Sequence, residues 1–214
     1  MNFELIQPWS TFVMKTKLSS NILDSMLKIT DEIINSKKSD SHELRAGQIE
    51  LQFWIEEEIL RKEQVLDYLM NACQTYVQQA EKQSKSGAPQ RKDGSWKTKM
   101  TSMWVNSQYD NEYFPIHIHT KAIAAVIYLK IPEILPSRHI YESNNGNQDG
   151  CIEFINNTST DQIWSKPNVQ ILPQVGDFFI FSGLQRHQVY PFRTSDGKSE
   201  RRSVSFNAEF APIN

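Results

Sequence analysis

The sequence predicts a mainly β fold of the jelly-roll or sandwich kind, preceded by N-terminal helices. Three observations carry that reading. Amphipathic stripes at helical spacing are confined to the first third of the chain. From about residue 99 the apolar period shortens to that of strands. The connections in the second half, such as "SNNGNQDG" and "PQVGD", are turn chemistry with no helix interleaved.

Taken in order, the first helix starts after Asn21, a cap residue with Asp24 three positions on. Leu23, Met26, Leu27, Ile33 and Ile34 then recur on one face, interrupted by Thr30. A second stripe runs through Leu66, Leu69, Met70, Cys73, Tyr76, Val77 and Ala80. Both are read as packing faces. The stretch "KQSKSGAPQRKDGSWK" (82–97) carries five basic residues against one aspartate, with Gly87, Pro89 and Gly94 breaking any helix. It reads as a solvated loop, with a lid or a contact for an acidic partner as the sharper alternative. Strands are expected at 99–107, 116–119, 122–131, 151–156, 169–172, 177–182, 187–192 and 202–210. The expected organisation is one domain over 1–214, with helical support and basic loop in 1–98 and the β core in 99–214.

Bulk properties exclude several function classes. Hydrophobic residues make up 39% and charged residues 22%, and the net charge of −2 gives no global field for nucleic acid or membrane. No stretch has the length of a membrane span, and the first twenty residues lack the apolar run of a signal peptide. Two distant cysteines, Cys73 and Cys151, do not make a disulfide framework. A reducing, cytoplasmic setting is expected, a host cytoplasm if the source is viral.

Chemistry concentrates in "FPIHIHTKAIAAVIYLKIP" (114–132). In an extended strand His117 and His119 face the same way, the arrangement needed for two ligands on one metal. His187, beside "GDFFIFSGLQR", is a third ligand that a jelly roll could bring to meet them, whereas His42 and His139 read as surface residues. Fourteen residues on, "ERRSVSFN" places Arg201, Ser203 and Ser205 on one face, with Val204 and Phe206 on the other. An inward arginine needs an anion. Arg201 with Ser203 could grip a carboxylate bidentately and from the side. The competing reading pairs Arg201 at the rim with Glu200 or Asp196. Asp177, after Gly176, reads as a turn stabiliser.

The order His-x-His, distal His, Arg-x-Ser resembles the iron(II) and 2-oxoglutarate-dependent oxygenases over about residues 104–207. It is most similar to uncharacterised bacterial and phage proteins of that family, through "FPIHIH", "VIYLKIP", "GDFFIF", "HQVYPF" and "RRSVSFN". "AGQIELQF" (46–53) resembles the family's helical lead-in. The resemblance implies a double-stranded β-helix, cupin-like, binding Fe(II), 2-oxoglutarate and O2. It implies that His117 and His187 hold iron and that Arg201 and Ser203 hold the distal carboxylate of 2-oxoglutarate. Tyr128 and Asn106 are further candidates for the co-substrate wall, and no catalytic residue beyond the metal ligands is implied.

His119 departs from the family, which has a carboxylate there. Either His119 fills that ligand position, leaving the site one charge more positive, or Glu153 in "CIEF" supplies a carboxylate instead. The expected activity is oxidation of a C–H bond with release of succinate and CO2, the substrate being protein, nucleobase, sugar or small metabolite. Two alternatives stand beside it. One is a three-histidine iron dioxygenase that uses no 2-oxoglutarate. The other is a non-enzymatic jelly-roll binding or virion module presenting Trp96, Trp104 and Trp164.

Overall fold

The computed structural model describes residues 12–36, 48–83, 96–135, 148–156 and 167–213. His42, His139, Trp164 and most of the basic 82–97 stretch lie outside these residues. The strands are β1 (Met14–Lys17), β2 (Leu51–Trp54), β3 (Trp96–Gln108), β4 (Phe114–His117), β5 (Ile123–Lys130), β6 (Ile152–Ile155), β7 (Asn168–Ile171), β8 (Asp177–Ser182), β9 (His187–Val189) and β10 (Arg201–Pro212). Helices are α1 (Ser20–Ser36), α2 (Glu57–Lys62) and α3 (Leu66–Gln83). The strands form two antiparallel sheets, one ordered β1-β8-β5-β10-β3-β2 and the other β4-β9-β6-β7.

Alternation along the strands builds two cores. In β5 and β10, Ile123, Ala125, Ile127, Leu129, Val204, Phe206 and Ala208 turn to one side. There they meet Met26 and Ile29 of α1 and Leu69, Cys73 and Val77 of α3. The opposite set, Ala124, Val126, Tyr128, Phe179 and Phe181, faces Ile152 and Phe154 of the smaller sheet. β5 is covered on both faces, so its sequence reads as an unbroken apolar run.

Several local expectations are corrected. The N-terminal third is not purely helical, because β1 and β2 form the two edges of the larger sheet. The "AGQIELQF" stretch is therefore strand-bearing rather than a helical lead-in, with Leu51–Trp54 paired to β3. α1 begins at Ser20, so Asn21 lies inside its first turn and the Leu23 N–H donates to Ser19 O (2.9 Å). Thr30 does not weaken the buried stripe: its hydroxyl donates to Met26 O (2.8 Å) and accepts from the Arg202 guanidinium (3.1 Å). β4 ends at His117 rather than 119, and β9 stops at Val189, short of Pro191.

Candidate metal centre

Three histidines meet at the open edge between the sheets. His117 and His187 are directly opposite each other on β4 and β9, with ring centroids 4.2 Å apart. His119 lies past the end of β4, its ring 5.3 Å from that of His117 and 5.2 Å from that of His187. A nitrogen from each ring falls within 4.8 Å of the others. Strand alternation alone does not place His119. Its N–H donates to Gly183 O (2.7 Å), and the Gly183 N–H donates to Ala122 O (3.0 Å). A Cβ on Gly183 would stand 1.8 Å from Lys121 O, so only glycine lets this segment lie so close.

Local hydrogen bonds fix which nitrogens point inward. His117 Nδ1 donates to Pro115 O (2.7 Å) and His187 Nδ1 donates to Gln185 O (2.8 Å). A carbonyl can only accept, so Nδ1 carries the proton and each Nε2 keeps a lone pair for a metal. Neither nitrogen of His119 has a hydrogen-bond partner among the described residues. Burial lowers all three imidazoles, His187 to about 3 and His119 to about 4, with repulsion from His117 adding to both. All are neutral at pH 7, the form that ligates.

From the histidines a cleft runs between the sheets. Its floor is formed by Asn106, Gln108, Tyr128 and Ser203 of the larger sheet, which lie in rungs: Gln52, Asn106, Ser203 and Tyr128 in one, Gln108 and Arg201 in the next. Asn106 accepts from Gln52 Nε2 (2.7 Å) and donates to the hydroxyls of Ser203 and Ser205, each at 3.3 Å. Ser203 thus has its own proton left to give. The Tyr128 hydroxyl lines the cleft, is 1% exposed as a residue, and has no hydrogen-bond partner among the described residues. Burial raises its pKa to about 12, so it is a donor at neutral pH.

Arg201 is 1% exposed and lies over the Phe192 ring at 4.7 Å. Burial lowers its pKa to about 10, leaving it cationic at pH 7. Rim pairing with Glu200 or Asp196 is overturned: Glu200 binds Arg202, and Asp196 binds Thr194, Lys198 and Ser199. The two-pronged grip expected of Arg201 is also corrected. Its Nε (3.2 Å) and one terminal nitrogen (2.7 Å) donate to Gln108 Oε1, and the other terminal nitrogen donates to Gly150 O (2.7 Å). It is thereby held behind Gln108, the residue of this rung that lines the cleft.

Glu153 does not join the histidines. Its neighbours in β6, Ile152 and Phe154, face the inter-sheet core, so Glu153 points to the other side. There it accepts from Asn168, Gln170, Gln188 and Tyr190. Asp177 is the predicted turn residue, accepting from the Gln174 N–H (2.9 Å) while Lys15 and Lys17 pair with it. Of the three tryptophans expected to form an exposed surface, Trp104 is buried at 8% exposure and lines the cleft, Trp96 is half-buried, donating to Glu81 and packing on Phe210, and Trp164 lies outside the described residues. Sequence reading missed Gln108, Gln52 and Gly183. Gln108 shares the parity of Asn106 and was lost because the expected strand stopped at 107. Gln52 lies in a four-residue strand that periodicity does not detect.

A family model described as "Putative 2OG-Fe(II) oxygenase" matches residues 102–207, from β3 through most of β10 and including every residue of the histidine cluster and of the Arg201 rung. No curated protein matches the chain. Among solved structures, a prolyl hydroxylase from Trichoplax adhaerens in complex with a hypoxia inducible factor peptide is 13% identical, covering 92% of this chain and 83% of that one (TM-score 0.56). A Pseudomonas putida prolyl-4-hydroxylase is 12% identical, covering 96% and 95% (TM-score 0.53). Against a 2OG-Fe(II) oxygenase family oxidoreductase from Burkholderia pseudomallei, 14% identical, the match spans 53% of this chain and 44% of that one (TM-score 0.37). The two prolyl hydroxylases share the jelly-roll fold, and the family match covers the strands that carry the histidines and Arg201: the chain belongs to the 2OG-Fe(II) oxygenases, oxidoreductases that use Fe(II), 2-oxoglutarate and O2.

Proposed function

We propose that His117, His119 and His187 hold Fe(II) through three neutral imidazoles, and that Arg201, Ser203 and Tyr128 receive the distal carboxylate of 2-oxoglutarate. One observation carries the reading: the three histidines open onto a cleft lined by Tyr128, Ser203 and Gln108, and Gln108 holds a buried guanidinium, Arg201, that has no carboxylate partner among the described residues. The orphaned Tyr128 hydroxyl fits the same ligand, since a buried donor without an acceptor costs about 1–3 kcal/mol. Asn106 orients Ser203 rather than binding the carboxylate itself.

When bound, Fe(II) would let O2 act as the oxidant, one oxygen atom passing to succinate as 2-oxoglutarate loses CO2 and the other to the oxidised C–H bond of the substrate. The chain's own part is to hold and to exclude. Pro115 O and Gln185 O keep the Nε2 atoms of His117 and His187 directed inward. Phe114, Ile152, Phe181 and Val189 form an apolar wall beside the histidines that restricts water. Arg201 stays protonated and is held in place by Gln108 and Phe192.

Purified protein supplied with Fe(II), 2-oxoglutarate and O2 should release succinate, and His187→Ala should release none. The three-histidine reaction without 2-oxoglutarate would consume O2 with no succinate; Arg201 and Tyr128, which that reaction leaves without a ligand, favour the first reading. We also propose one domain over 1–214, supported by the pairing of β1 and β2 into the sheet that contains β10. A cytoplasmic setting is supported by Cys73 and Cys151 being buried and not joined in a disulfide. Among the described residues no helix is long and apolar enough to cross a membrane.

A further inference from the structure

The charge around the cleft does not balance. Among the described residues no aspartate or glutamate lines it, and the three candidate ligands are neutral imidazoles. Among the described residues, the carboxylates of Glu153, Asp177, Glu200 and Asp31 are turned away or matched. Glu153 lies behind β6 under four donors. Asp177 is paired with two lysines, Lys15 and Lys17. Glu200 and Asp31 bind Arg202 on the helix side of the larger sheet. Arg201 alone adds a buried cation whose hydrogen-bond partners, Gln108 Oε1, Gly150 O and Tyr190 O, are all neutral.

With a divalent ion on the histidines, the ion and the buried Arg201 behind Gln108 together bring three positive charges to the site. The 2-oxoglutarate dianion cancels two. A carboxylate at position 119 would cancel the third, but this chain has His119 there. Resting on the metal and co-substrate reading above, we propose that the site takes one further monoanion beside 2-oxoglutarate: an acidic group of the substrate or a small inorganic anion. The pairing is with the uncompensated charge of the ion and Arg201, in surroundings where opposite charges attract far more strongly than in water. The chemical class selected at the mouth of the cleft is therefore acidic, and a neutral substrate of the same shape is disfavoured.

The test uses the whole chain, anaerobic and loaded with Fe(II) and 2-oxoglutarate, with the visible charge-transfer band as a binding readout that needs no turnover. Azide should shift the band of the wild-type protein at concentrations at least tenfold lower than it does for His119→Asp, which puts back one negative charge. On wild-type protein alone, acetate should shift the band where its neutral isostere acetamide does not, so the test survives a variant that fails to fold. Chloride separates the two sources of the anion. A band shift at millimolar chloride assigns the place to an inorganic ion, whereas weak chloride with acetate competing against azide assigns it to an acidic group of the substrate. Equal azide affinity in wild type and His119→Asp, or identical responses to acetate and acetamide, would overturn the proposal. Absence of any Fe(II) and 2-oxoglutarate band in the wild type would instead strike at the metal-site reading, and the anion proposal would fall with it.

Discussion

Arg201 and Arg202 are neighbours in sequence with opposite surroundings. Strand alternation sends Arg201 to the inter-sheet side, where it binds Gln108 beside the cleft, and Arg202 to the helix side, where it binds Glu200, Asp31 and Thr30. The two should therefore fail differently. Arg201→Met should weaken 2-oxoglutarate binding by about 1.5–3 kcal/mol, roughly tenfold to a hundredfold in Kd by calorimetry, from loss of a charge-assisted contact. Arg202→Met should leave that Kd unchanged and instead lower unfolding stability by about 3 kcal/mol, the low end for a broken buried pair. The low end applies because Asp31 is half exposed and Lys130 still faces Glu200. Equal losses of 2-oxoglutarate affinity in both variants would mean that the register of β10 is wrong.

The same cluster gives a pH dependence. The hydrogen bond from Arg202 lowers the Asp31 carboxyl. Burial alone would raise Glu200, but hydrogen bonds from Arg202 and Ser107 outweigh it and leave that carboxyl lowered as well. Groups depressed in the folded state stabilise it above their unfolded pKa, about 4, and that contribution is lost as pH falls through the folded values. Denaturant melts should thus lose stability below about pH 4, and Arg202→Met should lose less over the same interval. An identical acid slope in the two proteins would contradict this assignment.

At the scale of elements, legibility followed length and periodicity. β5, β8 and β10 were readable because their alternation is long enough to assign both faces, and with them came Arg201, Ser203 and Tyr128. β1 and β2 were not, because four-residue edge strands carry no usable period and exist through pairing with β8 and β3. The histidine pair was found by a rule that holds only halfway. His117 is placed by its strand, but β4 ends there, and His119 is placed by the contact of residues 119–122 with Gly183. A single glycine in "FSGLQ" does not announce such a contact in advance. Gly183→Ala must push back the Lys121 carbonyl. It should reduce Fe(II) affinity in anaerobic titration about as much as His119→Ala, although residue 183 has no side chain to offer a metal. Unchanged affinity in Gly183→Ala would show that the 119–122 segment finds its place without this contact.

For the molecule as a whole, the larger sheet works on both sides. Its outer face rests on α1 and α3 through Met26, Leu69 and Val77, and its inner face carries the polar rungs of the cleft. The smaller sheet closes over that cleft and brings His187 opposite His117. Fold and cleft follow from the same alternation, whereas the anion balance follows from one residue, His119. The central claim is that one Fe(II) is held by histidines contributed from both sides of the Gly183 contact. Anaerobic titration of Fe(II) into protein with excess 2-oxoglutarate, followed through the charge-transfer band, tests it most directly. The band should saturate at one iron per chain in the wild type and be absent in His187→Ala. A full band at the same iron affinity in His187→Ala would contradict the account.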